Sequence, residues 1–187
     1  IQLDLDAFQS LKNLQSLFVS GVNARYGENA VMLPKKLTSL SINAANVKWQ
    51  YLQKFSNLTA LYIHPRMQYF DVPFDEGIVG IEMLKSLRVL GVYEMRFPAK
   101  ELLALPQLEE LILCSVSHIH FEWLLELHSL KFLYVDESLP DTQLADRTEV
   151  AKLTNNGVTV FGAYSVLGID PLPPHFRPLR PEKFILF

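Results

Sequence analysis

The chain carries a single cysteine, Cys114, in 187 residues. One thiol cannot close an intramolecular disulfide, so nothing ties the fold to an oxidising compartment, and an intracellular, cytoplasmic location is expected. Charge of one sign is also scarce: 17 Lys and Arg face 20 Asp and Glu, for a formal net charge of −3. That balance supplies no whole-chain attraction for nucleic acid or an anionic membrane, and neither is expected as a partner. No uninterrupted apolar stretch approaches the roughly 18 to 20 residues that cross a bilayer, and no charged-then-apolar signal segment stands at the front. The first residue is Ile1 and not Met, which predicts an excerpt of a longer protein or a processed form.

Catalytic signatures are missing as well. There is no G-x-S-x-G, no H-E-x-x-H and no Walker-type G-x-x-x-x-G-K. His118, His120 and Glu122 form a short cluster that could ligate a metal, but no Cys, Asp or second His pair converges on them in sequence. Glu109 and Glu110 are adjacent, so on a strand they face opposite ways and cannot act as an acid/base pair. Cys114 lies at a strand end, where His64 and Tyr93 are candidate neighbours across a stack in addition to His118 and His120 of its own unit. No catalytic residue, cofactor or metal is therefore expected.

What the sequence does hold is apolar material in a repeating order. It is 49% hydrophobic and 20% charged, enough for one compact or extended-repeat domain and too apolar for disorder. The pattern L-x-x-L-x-x-L-x-[VIL] recurs from Leu11, Pro34, Phe55, Leu84, Leu105 and Leu127. Its second anchors fall at 14, 37, 58, 87, 108 and 130, with spacings of 23, 21, 29, 21 and 22. The last apolar pair of each unit alternates with period two, as in a short strand buried on one face. Segments with helical spacing lie between the strands: Val47 to Phe55, Ala99 to Leu105 and Phe121 to Leu127. Such a unit cannot bury its apolar face alone, so neighbours must stack into a parallel-stranded solenoid. A helix is about 10 Å wide and strands sit about 4.8 Å apart, so the stack curves with its strands on the inner, concave surface.

On these six units the chain resembles the leucine-rich repeat family over roughly Leu11 to Phe161. The resemblance implies an α/β solenoid with strands on the concave face and short helices and irregular segments on the convex face. It departs from the family where Asn or Cys commonly follows the strand; those positions read Val22, Ala45, Arg66, Met95, Val116 and Ser138. A doubly wound sheet would need longer crossovers and a Gly-rich phosphate turn, neither of which is present. Ile1, Leu3 and Leu5 alternate with polar residues, as in a truncated repeat or a capping strand. Near the other end, Asp141 to Leu153 has helical content, Asn155-Asn156-Gly157 is a turn, and Val158 to Phe161 is a further strand. The expected organisation is a repeat domain over residues 1–163 and a proline-rich tail over 164–187.

Strand alternation also names the candidate site. With Leu17 and Val19 pointing inward, the outward columns hold Phe18, Tyr62, Tyr93, Ile112, Phe132 and Tyr134, joined by His64 and Asp136. Solvated strand positions are usually polar, and aromatics gathered on a concave face are the usual composition of an interaction hot spot. The 29-residue interval adds a loop with Tyr69 and Phe70 beside the strand that carries Tyr62. A protein partner is expected on the concave face and this loop, with the domain serving a larger adaptor, receptor or effector. The alternatives are a face buried permanently in an obligate assembly, and cover by the chain's own tail. The tail has PxxP spacing with Arg177 and Arg180, which suits a groove of the SH3 type or packing on its own domain. Asn57-Leu58-Thr59 fits a glycosylation acceptor, yet Leu58 is a repeat anchor and the match is read as accidental.

Overall fold

A computed structural model describes residues 2–4, 8, 10–19, 23–25, 34–43, 55–64, 80–93, 99–114, 121–135 and 147–162. Each repeat opens on the same turn. The amide of the second anchor donates to the carbonyl of the first: Leu14 to Leu11, Leu37 to Pro34, Leu58 to Phe55, Leu87 to Leu84, Leu108 to Leu105 and Leu130 to Leu127, at 2.9 to 3.3 Å. This i to i+3 closure is a β-turn that feeds the chain into a strand.

The strands are β1 (Gln2–Asp4), β2 (Ser16–Phe18), β3 (Asn23–Arg25), β4 (Ser39–Asn43), β5 (Ala60–His64), β6 (Val89–Tyr93), β7 (Glu110–Cys114), β8 (Phe132–Val135) and β9 (Thr159–Gly162). Seven of them form one parallel sheet in the order β2-β4-β5-β6-β7-β8-β9. Register places Leu17, Leu40, Leu61, Leu90, Leu111, Leu133 and Val160 in a single row. The ladder extends one residue before the strands. The carbonyls of Gln15, Thr38, Thr59, Arg88 and Glu109 each accept two successive amides of the next rung, at 2.8 to 3.0 Å. The fold is an α/β leucine-rich repeat solenoid, as the repeat spacing predicts.

The other side of the sheet is closed by a row of short helical pieces. They are 3-10 turns at Ile81–Met83 and Ala99–Ala104, then α1 (Phe121–Leu124) and α2 (Arg147–Asn155), each touching the next. Ile81, Leu102, Leu124 and Leu153 are buried beneath them against the strand leucines. The expected helix over Ala99 to Leu105 is a 3-10 helix over Ala99–Ala104, and Pro106 follows its end. The expected helix over Phe121 to Leu127 ends at Leu124. There the amides of Glu126 and Leu127 drop to i−3 carbonyls, which frees Leu127 to open the next repeat turn. Of the expected helix Val47 to Phe55, only Phe55 is described. The turn positions Val22, Ala45, Arg66, Met95, Val116 and Ser138 also lie outside the described residues.

The first rung differs from the rest. Leu37, Leu58, Leu87, Leu108 and Leu130 are buried, whereas Leu14 is half-buried and Leu11 is 47% exposed. An end rung has a neighbour on one side only, so its anchors keep part of their contact with water. β1 adds no rung to the large sheet and instead pairs in parallel with β3 as a separate two-stranded sheet. β3 reads Asn-Ala-Arg and offers no apolar alternation to find it by. At the far end the expected turn is a Schellman cap. The Gly157 amide donates to Thr154 and the Val158 amide to Leu153. Gly157 has φ 84 with nothing within 4 Å of an added Cβ, so a side chain there meets backbone strain and no clash.

Candidate functional site

The middle outward column of the sheet runs Phe18, Ser41, Tyr62, Gly91, Ile112, Tyr134, Phe161 in register. Large and small residues alternate over its first rungs, and rings occupy the space their small neighbours leave. A Cβ on Gly91 would stand 2.6 Å from Cδ1 of Tyr62 and 3.2 Å from Cε2 of Tyr93. Glycine in a strand interior costs about 0.5 to 1 kcal/mol relative to alanine, and here it is the floor on which two tyrosine rings converge. Ser41, between Phe18 and Tyr62, is buried to 4% exposure.

Tyr62, Tyr93 and Tyr134 are half-buried and electrostatically coupled. Burial pushes the Tyr93 phenol well above the usual tyrosine range, with Cys114, Tyr62 and Tyr134 adding to the shift. Burial also raises the Tyr62 phenol, assisted by the Glu110 carboxylate. Tyr93 and Cys114 are in register on β6 and β7, so the expected proximity of these two is found. Phe161 is in register with Tyr134, and Phe132 and Phe161 stack with ring centroids 6.3 Å apart at 25°.

Not every expected residue belongs to this cluster. Ile112 is 7% exposed, so it is a floor residue between Gly91 and Tyr134 and not a projecting anchor. On a concave sheet, side chains of adjacent strands converge, and a middle-column aliphatic sinks between its neighbours. Phe18 is half-buried at the opposite end, separated from Tyr62 by the Ser41 rung. His64 ends β5 opposite Asn43, with its side chain outside the described set. Tyr69, Phe70 and Asp136 lie outside the described residues, as do His118 and His120.

Two features lie beyond the outward columns named from the sequence. Phe161 joins the aromatic column because β9 continues the register, which places it beside Tyr134. The second is a charge ladder at the strand starts. The Arg88 guanidinium donates to both oxygens of Glu109 at 2.8 Å, and Lys131 Nζ lies 3.2 Å from Glu109 Oε1. The bond from Arg88, then that from Lys131, holds the Glu109 carboxyl below its usual range. A carboxylate between two cations one rung apart is legible only once the register is known. Asn57 has a structural use, donating from Nδ2 to the Lys35 carbonyl at 2.9 Å. Among the described residues no group of three His, Cys, Asp or Glu is placed to hold a metal ion, and no helix is long and apolar enough to cross a membrane.

The buried phenols carry a pH signature. A folded-state pKa above the unfolded value means that the folded chain holds its proton more tightly, so stability is full below the ordinary tyrosine value of 10.0 and falls above it. Denaturant midpoints measured upward from that pH should fall in the wild type and fall less in Tyr93→Phe. Parallel curves would remove Tyr93 from the buried cluster.

No protein-family model matches the sequence, and no curated protein matches it. Among solved structures, internalin C2 from Listeria monocytogenes is similar at TM-score 0.54 and 18% identity, over 85% of this chain and 75% of that one. The chain thus shares with an internalin the fold of a leucine-rich repeat protein, which is what the parallel ladder and its register require.

Proposed function

We propose that the chain is a non-catalytic recognition domain that binds a protein partner on its concave sheet. One observation carries this reading: Tyr62, Tyr93, Phe132 and Tyr134 remain half-exposed together on the sheet side opposite the helical row. A core would bury such rings fully, and an idle solvated sheet would carry polar residues there. Aromatic side chains supply large contact area for few rotatable bonds, which is why they dominate binding energetics. Tyr69 and Phe70, which lie outside the described residues, are included among the partner-binding residues in this proposal. Residues 1–163 constitute the repeat domain, 164–187 a proline-rich tail, and the whole serves an intracellular adaptor, receptor or effector.

The test is capture of partners from lysate with wild type and the Tyr62→Ala/Tyr134→Ala double variant side by side. A protein retained by the first and lost by the second supports the proposal. Equal retention by both overturns the assigned face. A chain recovered solely in a fixed stoichiometric assembly, with no monomer in solution mass measurements, replaces reversible recognition with a structural role.

A further inference from the structure

We propose that the turn edge of the first two rungs docks an acidic segment of a partner protein through Lys12, Lys35 and Lys36. These turns precede the strands and are separate from the aromatic columns, so the inference goes beyond the recognition reading and does not depend on it. The first argument is the distribution of charge. Residues 10–19, 34–43 and 55–64 carry the first three rungs, and among them these three lysines are accompanied by no Asp or Glu. The next three rungs carry Glu82, Glu101, Glu109, Glu110, Glu122 and Glu126. Asp4, the acid of the small sheet, stands in register with Arg25. A net charge of −3 for the whole chain thus conceals a cationic edge at one end of the stack.

The second argument is how the lysines are held. Lys12 and Lys35 occupy the same position of successive turns, closed by the Leu14 and Leu37 amides, and neighbouring rungs of a sheet lie about 4.8 Å apart. Lys36 follows Lys35, and its Nζ reaches back to Asn13 Oδ1 at 3.0 Å, one residue from Lys12. Asn13 is neutral, so this bond positions the ammonium without cancelling its charge and leaves its other donors for a ligand. From the third rung, Asn57 Nδ2 donates to the Lys35 carbonyl and pins that turn. All three lysines are exposed, and none is paired with a carboxylate among the described residues. Like charges crowded across two rungs repel one another, and carboxylates laid along the edge relieve that repulsion. A nucleic acid matches less well, because its long run of charge would continue past the lysines to the carboxylates of the later rungs. Arg88, the guanidinium further along the edge, is already held by Glu109, and Ser56 and Asn57 offer no ring for a base to stack on.

Fluorescence anisotropy of labelled octaglutamate with the whole chain at low salt tests the idea. Octaglutamate is expected to bind more tightly than uncharged octaglutamine, and the difference should shrink as salt rises. The variant Lys12→Gln/Lys35→Gln/Lys36→Gln should bind octaglutamate about tenfold more weakly, the combined size of three exposed ion pairs. Lys85→Gln/Lys131→Gln/Lys152→Gln removes the same charge from other exposed lysines and should lose far less. The comparison of the two peptides uses wild-type protein, so it stands even if a variant folds poorly. Equal binding of the two peptides overturns the proposal, and equal losses in the two folded variants overturn it by reducing the effect to net charge. An eight-nucleotide thymidine strand that outcompetes octaglutamate at the same lysines overturns it in favour of nucleic acid. Self-association abolished by the first variant, with no peptide bound, overturns it in favour of a second copy of the chain. The aromatic face is tested separately by the Tyr62 and Tyr134 variants, so either reading can fail without the other.

Discussion

Leu111→Ala is expected to destabilise the chain by about 2 to 5 kcal/mol, the range for truncating a fully buried leucine. Leu111 is 1% exposed and stands in register between Leu90 and Leu133, each on its own strand. Removing its isobutyl group opens a cavity in the middle of the stack, where rungs on both sides hold the neighbours in place. Leu61, fully buried between Leu40 and Leu90, should behave alike. Leu14→Ala should cost less, since this anchor is half-buried on the end rung. Chemical denaturation of the three variants orders them; equal losses at Leu14 and Leu111 would contradict a stack with a frayed first rung.

Tyr62→Ala and Tyr134→Ala should have the opposite profile. Each is expected to weaken partner binding by about 1 to 4 kcal/mol as a central anchor, with a stability cost nearer 1 kcal/mol, the centre of the point-mutant distribution. The contrast follows from burial: Tyr62 and Tyr134 are half-exposed, whereas Leu61 and Leu133, one residue before each, are 0% exposed. Tyr93 interacts electrostatically with both, so the double variant need not lose the sum of the single losses. Titration calorimetry against the captured partner, paired with thermal melts, separates the two quantities. Variants that unfold as badly as Leu111→Ala would place the tyrosines in the core.

The ladder was legible in the leucines because burial on one strand face imposes period two, and the turn between first and second anchors imposes a spacing of three. Both constraints are local, and six copies in one register leave little room for another fold. What escaped had no such local signature. β3 is three residues long with no apolar alternation, and it forms because β1 lies alongside it. The helical spacing of Ala99 to Leu105 marks the wall, but spacing alone does not separate a 3-10 helix from an α-helix, and this segment is 3-10.

For the site, alternation named the outward columns but could not rank their exposure. Ile112 follows the same parity as Tyr62 and is nevertheless buried, because depth on a concave sheet depends on the neighbours across it. A signal was present in Gly91. A glycine inside an apolar strand, in register with a tyrosine on one side, marks a place where something approaches the backbone closely. Here it is the ring of Tyr62. The pairing of Glu109 with Arg88 and Lys131 spans three rungs and depends on register, which no single repeat contains.

Oxidative footprinting of the chain with and without its captured partner tests most directly whether the inner aromatic surface is the recognition face. The account predicts that Tyr62, Tyr93, Phe132 and Tyr134 lose reactivity in the complex while Trp123, half-buried on the convex α1, keeps its own. Protection of Trp123 with the three tyrosines unchanged would contradict it and move the partner to the helical wall.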